Sequence, residues 1–253
     1  MENLTTYKKN ITLFIFLIII YSCARIKKTQ IHPSPAELLN KYKVVAPQKR
    51  CQSYELHGII YFFSKKQNFR GKFHLMGNKW FPWIMEIKSP FGTTLFLIKI
   101  EKNIIKILSV RENKLYILNN SKEIFRYFGI KTKISPEFLL KLLTGDWKTF
   151  ISSPKKIEQL PDGVKYFFND QLVKEVKLYY YENRAHIWET QGVEVDIFDD
   201  EKIVLRDTNF AKMVFKIKRK ICVKDKFHLK DLELKIPSNV TQELLIKEQT
   251  KTN

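Results

Sequence analysis

The sequence predicts a mainly β protein of α+β type, a single large antiparallel sheet with one or two helices on one face. Three observations carry that expectation. Apolar and polar residues alternate at period two in run after run from Ser53 onward. Short connections marked by Gly, Asn, Asp and Pro separate the runs, so neighbouring strands are antiparallel. Only one segment, around residues 135–145, has strong helix punctuation at both ends. A sheet of this kind that curls encloses an apolar cavity between its concave face and the covering helix.

The first element is not part of that sheet. Lys8 and Lys9 precede an apolar run, Ile11 to Tyr21, broken only by Thr12. A membrane-spanning helix needs about 20 apolar residues, and this run has the shorter length of a signal-peptide core. Ser22 and Cys23 follow at once, which resembles a bacterial lipoprotein signal whose cysteine becomes the lipidated first residue. A plain signal peptide or membrane anchor with a chance cysteine is the other reading. The expected organisation is a signal over 1–22, a lipid-anchored tether over 23–35, a folded domain over 36–240 and a polar tail over 241–253. The tether is polar, with Lys27, Lys28, Pro33 and Pro35. Pro35 then opens a short amphipathic helix, Ala36 to about Tyr42, with Leu38 and Leu39 on its apolar side.

The strands follow. Leu56, Gly58, Ile60 and Phe62 share one face of the first. The second is Asn68 to Met76, with Phe73 and Leu75 against Lys72 and His74. Trp83, Met85 and Ile87 share a face of the third, and a tight turn at Ser89-Pro90-Phe91-Gly92 leads to a fourth, Thr94 to Ile100. Ile104 to Val110 and Lys114 to Leu118 come next. The helix is capped by Ser135, starts with Pro136 and Glu137, carries Phe138, Leu139, Leu142 and Leu143 as an apolar stripe, and stops at Gly145. Strands resume at Val164–Phe168, Glu175–Tyr181, Ala185–Glu189, Val193–Phe198, Ile203–Asp207, Met213–Val223 and Leu232–Ile236, a total of roughly a dozen. Period two places Ile60, Phe62, Phe73, Leu75, Trp83, Met85, Ile87, Phe96 and Ile98 on the inner face, either as a cavity wall or as an ordinary core.

Hydrophobic residues at 44% and aromatics at 13% exclude a disordered chain. A net charge of +19 favours anionic partners such as acidic lipid headgroups, and an exported address makes nucleic acid the poorest of them. A merely solvated basic surface explains the charge equally well. An oxidising compartment permits Cys51 and Cys222 to pair, although sequence supplies no distance. Nothing supports catalysis, a metal or a cofactor. His32, His57, His74, His186 and His228 stand apart, with no His-x-x-x-His spacing or His–Glu pairing. Asp199-Asp200-Glu201 reads as a solvated hairpin tip. There is no Gly-x-Ser-x-Gly elbow and no glycine-rich phosphate loop.

Several segments in order resemble the LolA/LolB lipoprotein-localisation family, and its LolB branch in particular. Tyr54-Glu55-Leu56-His57-Gly58 is similar to the family's first strand with its glycine, and Phe73 and Leu75 to its second. Ser89-Pro90-Phe91-Gly92-Thr93-Thr94 is similar to its turn between strands three and four. Pro136 to Gly145 resembles its central lid helix, and Leu234-Lys235-Ile236-Pro237 its final strand. The resemblance is firm over roughly residues 50–150 and looser beyond. It implies an incomplete barrel of about eleven strands whose cavity accepts acyl chains of another lipoprotein from a periplasmic LolA-like carrier. It further implies a monomer anchored to the bacterial outer membrane, without cofactor, whose exposed Phe91 between Pro90 and Gly92 enters the membrane. A structural envelope lipoprotein on the same fold, or a carrier of free lipid or glycolipid, are the alternatives.

Overall fold

Alternation in the sequence becomes a ladder of fourteen strands. A computed structural model describes residues 32–42, 51–64, 68–79, 81–102, 104–118, 134–151, 154–169, 173–189, 192–199, 201–207 and 211–244. The signal segment, Cys23 and most of the tether lie outside these residues, as does the tail beyond residue 244. The chain divides into Met1–Ser34 and Pro35–Asn253, and the second unit holds the sheet.

Helix α1 is Pro35–Tyr42. Strands β1 (Ser53–Phe63), β2 (Asn68–Asn78), β3 (Trp83–Lys88), β4 (Thr94–Ile100), β5 (Ile105–Ser109) and β6 (Lys114–Leu118) precede helix α2, Pro136–Thr144. After a 3-10 turn at Asp146–Ile151 come β7 (Lys156–Leu160), β8 (Gly163–Phe167), β9 (Val173–Tyr179), β10 (Arg184–Glu189), β11 (Glu194–Phe198), β12 (Lys202–Arg206), β13 (Lys212–Val223) and β14 (Thr241–Leu244). The order across the sheet is β14-β6-β5-β4-β3-β2-β1-β13-β12-β11-β10-β9-β8-β7. Every pairing is antiparallel except β14 with β6.

The expected single sheet is present, with fourteen strands among the described residues against the roughly dozen that the pattern implies and the eleven that the resemblance implies. Lys156–Leu160 was not predicted, because its outermost strand is mostly exposed and carries little alternation. Leu232–Ile236 alternates well yet is not a strand. A 3-10 turn at Leu229–Leu232 leads into an extended stretch, and Leu234 packs with Leu108 and Leu115 on the outer face of β5 and β6. Thr241–Leu244, expected in the tail, then adds the parallel edge strand.

Fourteen strands about 4.8 Å apart would span roughly 60 Å if flat, whereas helices of eight and nine residues are about 12–14 Å long. Tyr116 and Leu118 of β6, Val164 and Tyr166 of β8, Leu38 of α1 and Phe138 of α2 nevertheless share one buried cluster. The sheet must therefore curl around the helices. Gly58 marks how tightly: a Cβ there would lie 2.3 Å from the Lys216 carbonyl oxygen and 2.5 Å from the Phe73 ring.

At the end of the sheet where β1 begins, Cys51 and Cys222 form a disulfide, with Cα atoms 5.2 Å apart. Beside it the Phe227 amide donates to Asn78 Oδ1 at 2.8 Å, and the Ser53 hydroxyl donates to the same oxygen at 2.8 Å. This fastens the segment after β13 across the start of β1 and the end of β2.

The Tyr166 hydroxyl donates to the Pro35 carbonyl at 3.0 Å, tying α1 to the sheet. Burial, then the nearby Tyr180, push the Tyr166 hydroxyl up to about 12, and burial with Asp146 does the same for Tyr54. A phenol whose folded pKa exceeds its unfolded value near 10 stabilises the fold below pH ~10 and loses that contribution as pH rises toward 12. Thermal melting should accordingly drop steeply from about pH 10 upward, and Tyr166→Phe should flatten the drop. An unchanged alkaline limb in Tyr166→Phe would contradict the assignment.

Candidate functional site

Two places follow from the expectations: the inner face beneath α2 and the turn bearing Phe91. On the inner face, Ile60, Phe62, Phe73, Leu75, Trp83, Met85, Ile87 and Ile98 are all at most 3% exposed, and Phe96 packs against them partly buried. The structure brings these nine side chains together as the sequence pattern implies. Phe69 and Phe62 stack at 5.4 Å, and Phe73 meets Phe215 edge-on at 5.5 Å.

α2 forms where expected. Ser135 Oγ accepts from the Phe138 amide at 3.0 Å, Pro136 starts the helix, and Gly145 ends it at φ 81°. Its burial goes beyond one stripe. Pro136, Leu140 and Thr144 are buried along with Phe138, Leu139, Leu142 and Leu143, leaving mainly Glu137 and Lys141 to solvent. The helix is thus inserted into the curl of the sheet, and its side chains occupy the interior in this form. The gap between Tyr54, Trp83, Leu140 and Asp146 is about 50 Å³, against the roughly 300–1,000 Å³ of a ligand pocket.

The turn is the opposite case. Ser89 N–H donates to the Thr93 carbonyl at 2.7 Å, Gly92 N–H to the Ser89 carbonyl at 3.0 Å, and Thr93 N–H to Ser89 Oγ at 3.2 Å. Gly92 takes φ 96°, which a residue with Cβ adopts only under strain. These bonds hold the tip firmly, and Phe91 at its apex is 96% exposed. Registers place the ends of β1, β3 and β5 and the start of β7 at the same end of the sheet. Phe63 at 44%, Val110 at 43% and Ile157 at 47% are further exposed apolar residues there. The turn after α2 lies at the other end, near Asn183 and Asp199.

The histidines do not all stand apart, contrary to the sequence expectation. Glu55 and His57, two apart on β1, share the outer face with His74, which lies opposite His57 on β2. The signal is Glu-x-His at strand spacing beside a hairpin partner, which a helical His-x-x-x-His pattern does not contain. A second missed group surrounds Asp196 on the outer face of β11, where Arg184, His186 and Arg206 all reach its carboxylate.

No protein-family model matches the chain, and no curated protein matches it. Solved structures similar to it include a LolA superfamily protein from Nitrosomonas europaea, at 12% identity over 80% of this chain and 98% of that one, with a TM-score of 0.45. A DUF1329 family protein from Desulfovibrio piger is 7% identical over 73% of this chain and 90% of that one, at 0.42. A domain from Vibrio parahaemolyticus described as an outer membrane lipoprotein-sorting protein domain is 8% identical over 78% and 94%, also at 0.42. Likeness at this level does not assign the chain to a family.

Proposed function

We propose that this chain is a receptor for lipoproteins, tethered to the bacterial outer membrane by an acylated Cys23. It takes the acyl chains of a cargo lipoprotein from a soluble LolA-like carrier. It houses them between α2 and the inner face, lined by Ile60, Phe73, Leu75, Met85 and Ile87, and delivers them to the membrane through the turn carrying Phe91. The observation that supports this reading best is Phe91 itself, an aromatic ring held almost wholly in water by a stiff turn. Such a ring gains little in solution and much on entering lipid.

Cargo entry in this reading displaces α2, which acts as the lid. Burial of an apolar side chain is worth roughly 1.5–3 kcal/mol, so withdrawing Phe138, Leu139, Leu140, Leu142 and Leu143 costs on the order of 10 kcal/mol. An acyl chain of roughly fifteen methylenes is worth on the order of 12 kcal/mol when taken from water, at about 0.8 kcal/mol each. One handed over by a carrier leaves another apolar site, so in this reading transfer is driven by the relative affinities of carrier, interior and membrane.

The filled interior favours a second reading, an envelope scaffold lipoprotein that binds no lipid. One experiment separates them. A photo-crosslinking residue at position 87 of the full-length protein should capture an acylated lipoprotein supplied on its carrier, and should not capture the same protein without its acyl chains. Equal capture of both, or of neither, overturns the receptor.

A further inference from the structure

We propose that Glu55, His57 and His74 form a binding site for a divalent transition-metal ion of the zinc and copper class on the outer face of the sheet. This proposal is independent of the receptor reading. Glu55 Oε1 lies 2.8 Å from His57 Nε2 and 3.0 Å from His74 Nε2. All three donor atoms fall within 4.8 Å of one another. The two imidazoles are stacked, with centroids 4.2 Å apart and planes within 6°. Both rings turn Nε2 toward the one carboxylate oxygen, and with planes so nearly parallel they rotate out of the stack for both lone pairs to meet at one ion.

That convergence has a backbone cause. Alternation puts Glu55 and His57 on one face of β1, and the hairpin register sets His74 directly opposite His57 and Glu55 diagonally across from it. The ladder fixes the spacing of the three Cα atoms before any ion arrives, so little ordering remains to oppose binding. A metal bound at about 2.0–2.1 Å to each donor separates tetrahedral ligands by about 3.3 Å. To reach that spacing the carboxylate moves back a few tenths of an ångström from the observed 2.8 and 3.0 Å, and the two imidazole nitrogens, within 4.8 Å of each other, come to it by side-chain rotation.

Donor chemistry selects the ion. Two imidazole nitrogens with one carboxylate suit zinc, copper or nickel and disfavour calcium and magnesium, which prefer all-oxygen shells. The side chains of the three ligands are 29–38% exposed, which leaves the remaining coordination positions to water. Charge around the site is mixed. Glu86, paired with His74 on β3, adds a carboxylate, while Lys72 and Lys218 border the same cleft and Arg219 faces His57 from β13.

The test is titration of the full-length, detergent-solubilised protein with Zn²⁺ against a chromophoric chelator, without reductant. One equivalent should bind. Losing an outer-shell partner alone weakens metal sites by roughly 10–100-fold, so His57→Gln and His74→Gln should each weaken binding by about tenfold or more. His228→Gln, at an exposed position beyond β13, should leave it unchanged. Cu²⁺ should show coupling to two imidazole nitrogens in its paramagnetic resonance spectrum, and to one in either variant. Circular dichroism and melting without metal show that the variants fold. Wild-type zinc affinity in the His57→Gln, His74→Gln double variant, or no stoichiometric binding by the native chain, overturns the site.

Discussion

Phe91→Glu is expected to reduce transfer of an acylated lipoprotein into liposomes by about tenfold or more, while Phe91→Leu retains most of it and neither variant changes the melting temperature measurably. The stability half follows from exposure. A ring that is 96% exposed makes almost no intramolecular contact to lose, and substitutions at such positions stay within about 0.5 kcal/mol. The transfer half follows from partition. Burying a phenylalanine side chain in an apolar phase is worth roughly 1.5–3 kcal/mol, which is roughly a ten- to hundredfold change in occupancy of the inserted state. Glutamate forfeits that gain and adds a charge that lipid excludes. The turn's own hydrogen bonds involve Ser89, Gly92 and Thr93 rather than the ring, so the backbone presentation survives the change. Unimpaired transfer by Phe91→Glu removes the membrane-entry role from this turn. Lost transfer together with a lowered melting temperature would instead place Phe91 in the fold.

Much of this arrangement was legible from local chemistry. Period two on β1, β2 and β3 identified the inner face residue by residue, because a sheet with one face on a core leaves alternation as the only workable pattern. Ser135, Pro136 and Gly145 announced α2, and Pro90 with Gly92 announced the turn, since each of these positions demands a particular backbone angle or missing donor. What stayed hidden depends on partners distant in sequence. Leu232–Ile236 carries a strand pattern, yet Leu234 finds an apolar patch on the outside of β5 and β6 and no strand forms. The interior was expected to be hollow, whereas α2 buries both flanks of its stripe; whether a helix covers a sheet or fills it depends on sheet curvature, which period alone does not encode. Cys51 and Cys222, 171 residues apart, pair because β1 and β13 are neighbours. The Glu55, His57 and His74 group needed the register of β1 on β2, and polar clusters on an outer face leave no mark on hydrophobic periodicity.

The same blindness concealed the residue whose loss should matter most to stability. Asp196→Ala is expected to destabilise the fold by about 3–5 kcal/mol at neutral pH, the usual consequence of removing one partner from a buried ionic group. Asp196 is 1% exposed although it lies on the outer face, because its partners cover it. Arg184 Nη2 donates to Oδ1 at 3.0 Å, His186 Nδ1 lies 2.8 Å from the same oxygen, and Arg206 Nη1 donates to Oδ2. Arg184 is itself sandwiched, 4.6 Å over Tyr179 and 5.3 Å over Phe198, and His186 meets Trp188 edge-on at 3.8 Å. Without the carboxylate, two guanidinium groups and a buried imidazole crowd one face of β10, β11 and β12 with no shared acceptor. Burial alone would raise the Asp196 carboxyl; the hydrogen bonds from His186, Arg206 and Arg184 overcome it and hold the group well below the usual carboxylate range. A folded pKa below the unfolded value near 3.9 supplies stability that is complete above about pH 5 and is lost as pH falls past 4. Urea unfolding from pH 7 to pH 3 should therefore show a steep acid decline in the native protein and a shallower one in Asp196→Asn, which keeps the shape and cannot titrate. A parallel decline in both proteins would mean that other carboxylates govern acid stability, and that the two guanidinium groups and His186 find compensation elsewhere in the sheet.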